Sequence, residues 1–150
     1  MKSFVYIIIF ALVMYFLVAH SPKNQNPEDI KYVNIAGANI EVELALSEEA
    51  QIKGLSNRIS LGENEGMLFV FSVPGKYFFW MKDMNFPIDM IWIGENLRVI
   101  YIKQNVQPES YPAVFGPEDN ARYVLEVASG FSKKHNLKKG DVIRFTPTPN

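Results

Sequence analysis

The chain has 150 residues, a formal net charge of -1 from 15 basic and 16 acidic side chains, and no cysteine. That length accommodates one domain plus a terminal segment. Near-neutral charge leaves no global field to draw the protein to nucleic acid, and the missing thiols exclude disulfides, thiolate metal sites, a cysteine nucleophile and lipid attachment through cysteine. The two histidines, His20 and His135, have no partner at ligand spacing, so no metal site is expected, nor any other cofactor.

Residues 1–20 read as a membrane anchor or a signal peptide. One lysine precedes an unbroken apolar and aromatic run from Phe4 to Ala19, and His20-Ser21-Pro22 turns abruptly polar. The run is a little short for a spanning helix of about 20 residues. A cleavage site is poorly formed, because Leu17 would sit two places before Ala19, which favours an uncleaved signal anchor over a cleaved leader. Either way the remaining chain is expected outside the cytoplasm, in the cell envelope. Residues 21–29, with two prolines and no apolar side chain outside them, form a linker, and a folded domain is expected over residues 30–147.

Within that domain Lys31 to Ala36 and Asn39 to Ala45 read as a hairpin around Gly37, with Ile40, Val42 and Leu44 alternating with Glu41 and Glu43. Ser47 before Glu48 and Glu49 predicts a helix N-terminus, the helix running to about Asn57 with Ile52, Leu55 and Ile59 on its packing face. Gly54 removes a side chain where the helix presses on the sheet. Further strands are predicted at Met67 to Phe71, Tyr77 to Lys82 and Asp89 to Ile93, with a tight turn at Val73-Pro74-Gly75-Lys76. Gly94-Glu95-Asn96 turns into a strand over Leu97 to Ile102. Lys103 to Ala121, with three prolines, reads as a long irregular loop. A strand over Tyr123 to Val127, a short helix capped by Ser129 and ending near Asn136, and a last strand over Val142 to Phe145 complete the chain. The fold class is therefore α+β and β-rich: a small antiparallel or mixed sheet of about eight strands, curled into a barrel-like body with one or two short helices.

The stretch from Gly66 to Ile93 carries the apolar core and, inside it, Lys82, Asp83, Asn85 and Asp89, polar groups that a purely structural core does not need. In a structural reading Arg58 pairs with Asp89 or Asp83, and Asp89 accepts backbone N–H groups after Pro87. In a functional reading Arg58 and Lys82 hold an anionic or polyhydroxylated ligand, and Glu65 with Asp89 or Asp83 supplies acid and base to a glycan. Most of Tyr77, Phe78, Phe79, Trp80, Phe86 and Trp92 is expected in the core, with a minority available to stack on sugar. Lys133, Lys134, Lys138 and Lys139 read as a solvated face that also suits anionic lipid.

Six blocks in order, Gly54-Leu55-Ser56-Asn57-Arg58, Glu65 to Phe71, Phe79 to Asp83, Pro87-Ile88-Asp89, Val124-Leu125-Glu126-Val127 and Lys139-Gly140-Asp141, resemble the DUF192 family, over about Ile30 to Phe145. Two departures stand out. Ser56-Asn57-Arg58 replaces a Met-Phe-Arg-like ending, and Asp83-Met84 replaces Asn-Thr, which sets an extra negative charge beside Lys82. The resemblance implies a small extracytoplasmic or stand-alone domain and supplies no catalytic residue. The expectation is a membrane-tethered or secreted, non-catalytic domain that binds an envelope glycan or partner protein through Arg58, Glu65, Lys82, Asp83 and Asp89. The alternatives are a glycan-acting envelope enzyme with a carboxylate acid and base, and a structural accessory subunit.

Overall fold

Alternation writes the first hairpin: in β2 (Ala38–Ala45) Ile40 and Val42 are buried between exposed Asn39, Glu41 and Glu43, and β1 (Tyr32–Ile35) pairs with it antiparallel. A computed structural model describes residues 26–147. The expected membrane segment 1–20 lies outside the described residues, and no helix among them is long and apolar enough to cross a membrane.

Ser47 caps α1 (Glu48–Lys53), its hydroxyl accepting the Ala50 N–H at 3.2 Å, with Glu48 and Glu49 at the positive end of the helix. The helix stops at Gly54 rather than near Asn57, because Gly54 takes a left-handed φ of 48° that breaks the spiral. The expected three-residue face is therefore lost. Leu55 alone is buried, whereas Ile52 and Ile59 are exposed.

This helix carries the chain across from β2 to β3 (Glu65–Gly75), and the two strands run parallel. All other pairings, among β4 (Ile88–Ile93), β5 (Val99–Val106), β6 (Ala121–Ala128) and β7 (Ile143–Thr146), are antiparallel, in the order β5-β4-β6-β3-β2-β1-β7. The sheet curls until its edges meet: Val99 N–H donates to the Asp141 carbonyl at 2.9 Å, Gly140 N–H to the Val99 carbonyl at 2.8 Å, and Ile143 N–H to the Leu97 carbonyl at 2.9 Å. The concave side encloses one core, with Val33, Ile35, Ile40, Leu68, Ile91, Leu125 and Ile143. Its convex side carries a second core, with Leu55, Phe69, Met81, Met90, Trp92 and Val124.

Among the described residues there are seven strands, not eight, because the predicted strand over Tyr77 to Lys82 is a strap laid across the second core. It alternates as a strand would, Phe79 and Met81 turned in and Phe78 and Trp80 turned out. Its hydrogen bonds go elsewhere: Phe79 exchanges both backbone bonds with Phe115, at 2.7 and 2.8 Å, and the Trp92 indole N–H holds the Tyr77 carbonyl at 2.8 Å. The predicted turn at Val73 to Lys76 is absorbed into the tail of β3, where Gly75 pairs with Ala121 after a register shift. β5 runs on to Val106, which shortens the expected loop. Gly130, at φ 88°, rather than Ser129 starts α2 (Phe131–Lys134); the Ser129 hydroxyl lies 2.7 Å from Asn105 Oδ1 instead.

Candidate functional site

Strand alternation decides what faces the convex side, and one row there carries the site. Register aligns Glu43 on β2, Met67 on β3, Glu126 on β6 and Met90 on β4. Glu126 thus has a methionine on either side and no cation across the strand. Gly66 lets β3 close on β6 at this point, since a Cβ there would stand 2.8 Å from the Glu126 carbonyl oxygen. Glu126 is 4 % exposed, and among the described residues no group donates a hydrogen bond to its carboxyl. Burial pushes that carboxyl up from the ordinary 4.5 to about 8, so it is protonated at neutral pH and able to donate.

Above Glu126 opens a cleft of about 250 Å³ between α1, β3 and the strap. Phe69, Phe71, Tyr77 and Phe79 form its aromatic walls, and Gln51, Lys53 and Glu48 reach it from the helix. The walls are fixed by ring packing. Phe79 stands edge-on to Phe69 at 4.8 Å and to Trp92 at 5.9 Å, while Phe71 and Tyr77 stack. Gln51 Nε2 donates to the Ala45 and Val70 carbonyls, at 3.2 and 3.0 Å, which pins α1 to the sheet beside the opening. At Gly54 a methyl group would just touch the Phe69 ring, and it is the left-handed φ of 48° that favours glycine there. The rim is apolar and wet: Phe78 is 59 % and Trp80 49 % exposed, and Tyr111 from the 107–120 loop meets Trp80 edge-on at 6.0 Å.

The residues singled out from sequence divide into two places. Arg58, Lys82 and Asp83 share one corner, stitched by the Asn57 N–H to the Asp83 carbonyl at 2.7 Å, the Ser56 hydroxyl to the Lys82 carbonyl at 2.9 Å and Asn85 Nδ2 to the Arg58 carbonyl at 2.8 Å. Arg58 pairs with neither aspartate. It holds Glu43 in a two-pronged bond, both contacts 2.5 Å, which lowers the Glu43 carboxyl below the usual carboxylate range and raises the guanidinium. The pair is well solvated, so Arg58→Ala is expected to lower stability by less than about 1 kcal/mol, read as a thermal midpoint shift of only a few degrees. Asp83 takes a left-handed φ of 56°, which turns its side chain out of the alternation expected with Met81. Glu65 is exposed and accepts the Gly62 N–H at 2.9 Å.

Asp89 lies on the other side of the sheet. It shares a face with Ile91 and Ile93, is fully buried, and accepts N–H groups from Asn105 at 2.8 Å, Ser132 at 2.8 Å and Gly130 at 3.3 Å, not from the residues after Pro87. A Glu65–Asp89 acid and base pair is thereby separated by the sheet itself. Glu126 stood outside the sequence candidates, although the same signal marked it: a carboxylate in an otherwise apolar strand, Tyr123 to Val127. No group of histidine, aspartate and glutamate side chains among the described residues has the arrangement to hold a metal ion.

A curled, seven-stranded, mostly antiparallel sheet with one parallel crossover and an aromatic cleft on its convex face defines a β-rich α+β domain. The chain belongs to the DUF192 family, described as "Uncharacterized ACR, COG1430", whose profile matches residues 31–145. Among solved structures it is similar to a protein of unknown function from Novosphingobium aromaticivorans, at 31 % identity and a TM-score of 0.73, covering 77 % of this chain and 84 % of that one. It is also similar to a protein from Sinorhizobium meliloti described as a candidate transcription regulator, at 28 % identity and a TM-score of 0.71, covering 76 % of this chain and 90 % of that one. No curated protein matches it.

Proposed function

We propose that this is an extracytoplasmic domain, tethered through its N-terminal apolar run, that binds an envelope glycan in the aromatic cleft without turning it over. The observation that carries the reading is the combination of exposed aromatic rim and buried, protonated Glu126 in one cleft: flat rings for the apolar face of a sugar, and a carboxyl able to donate and accept beneath them. Lys82, two residues along the outward side of the strap from Trp80, extends the same face toward glycan hydroxyls. The extracytoplasmic placement rests on Phe4 to Ala19.

Soluble cell-wall glycan fragments titrated into the full-length protein should quench the Trp80 fluorescence, while buried Trp92 responds little. Trp80→Ala should weaken binding about tenfold, the loss of roughly 1.4 kcal/mol of stacking, with the thermal midpoint unchanged. Protease added to intact spheroplasts should remove the domain. Unaltered affinity in Trp80→Ala, or a protected domain, would sink the corresponding half of the proposal.

One observation favours a catalytic variant of this reading: a carboxyl held protonated at neutral pH is what a general acid requires. Release of product from a labelled wall glycan, lost in Glu126→Gln, would establish it; binding without turnover would exclude it.

A further inference from the structure

We infer that the cleft selects a ligand bearing a protonated amine, an amino sugar with its nitrogen unacetylated, and that Glu126 receives the ammonium group. The inference deepens the glycan-binding reading and rests on it. Three features of the cleft converge. Its walls are aromatic, Phe69, Phe71, Tyr77 and Phe79, and aromatic rings attract organic cations placed over their faces. Its floor holds the Glu126 carboxyl, nine-tenths buried and without a hydrogen-bond partner or ion pair among the described residues, so no group of the protein would compensate the charge it takes on ionising. The other charged groups lining the cleft are Glu48 and Lys53 on α1, one of each sign; β3 contributes none, Lys82 of the strap stands outside the lining, and Arg58 is occupied by Glu43. A cation that reaches the floor of the cleft therefore meets Glu126.

The proton balance follows. In the free protein at neutral pH the Glu126 carboxyl carries its proton; when the ammonium arrives, the carboxyl ionises, the ion pair forms and the proton leaves to solvent. No bond to carbon changes. Binding of an amine already protonated in solution is accordingly accompanied by release of close to one proton, and binding of a neutral sugar by none.

Calorimetric titration of the full-length protein at about pH 6, where the sugar amines are largely protonated and Glu126 still carries its proton, in two buffers of different ionisation enthalpy, separates these cases, with glucosamine tetrasaccharide and its fully N-acetylated counterpart as probes. The amine form should bind at least about tenfold more tightly, with proton release, and the preference should collapse toward unity in Glu126→Gln. Because that variant alters a buried site, proton release by the unsubstituted protein provides the independent readout. Equal affinity for the two probes, or tighter binding of the amine with no proton released, would overturn the inference and leave the glycan reading standing. Failure of both probes and of wall fragments would remove the two together.

Discussion

Between about pH 5 and about pH 8 the thermal midpoint of the protein should fall, and Glu126→Gln should flatten that fall. The folded state holds the Glu126 proton up to about pH 8, whereas the unfolded chain releases it near the ordinary 4.5. Folding therefore takes up a proton across this window, and stability is full below the unfolded value and lost as pH rises through the folded one. At pH 7 the loss is on the order of 3 kcal/mol, which in a domain of this size moves the midpoint by roughly 10 °C. The ion-paired carboxylates Glu43 and Glu63 act with the opposite sign: lowered by Arg58 and Lys134, they add stability above the usual carboxylate range and change little beyond about pH 5. The alkaline limb belongs to Glu126. Glu126→Met, which continues the apolar row of Met67 and Met90, should raise the midpoint outright at about pH 8. A slope that persists unchanged in Glu126→Gln would show that burial of this carboxyl does not govern the pH response. If the substitution stabilises the fold and abolishes ligand binding, the carboxyl is retained at the expense of stability for the sake of the site.

Asp89 should behave in the contrary way. Its two carboxylate oxygens satisfy three backbone donors, of which the Ser132 N–H is buried and those of Asn105 and Gly130 partly so, tying β4 to the end of β5 and to the turn that starts α2. Asp89→Ala takes a charged acceptor from all three and strands the buried Ser132 N–H, and the loss should reach about 3 kcal/mol. A midpoint drop of roughly 10 °C is the expected reading. Asp89→Asn retains one acceptor but turns an amide N–H toward a donor, so its loss should fall between the parent and the alanine variant. Neither change reaches the convex cleft, so glycan affinity measured well below the midpoint should be preserved. A midpoint within a few degrees of the parent for Asp89→Ala would refute the structural assignment.

The contrast between these two carboxylates shows how much of the site was legible. Both interrupt apolar strands, and both stand out in sequence for that reason. What separates them is which face of the sheet each occupies and what covers that face, and strand alternation alone does not say which side is concave. Asp89 met three N–H groups brought in from residues 105, 130 and 132, all distant in sequence. Glu126 met two methionines across the strands and a cleft roofed by residues 51–56 and 77–84. The partner of Arg58 was hidden for the same reason, because Glu43 becomes its neighbour only once the β2–α1–β3 crossover places the end of the helix segment over β2.

Local chemistry determined the rest. Alternation wrote β2, the Ser47 hydroxyl and two following glutamates started α1, and the Gly94 to Asn96 turn joined β4 to β5, because each depends only on residues a few positions apart. The β-rich α+β class and the family blocks were likewise present in the order of residues. Tertiary structure alone decided that Tyr77 to Lys82 lies over the sheet rather than in it, since an extended aromatic run buries its inward side chains equally well against a sheet face or a sheet edge. It also decided the location of the cleft, whose walls come from α1, β3, β6 and the strap, elements joined by packing and not by any local signal.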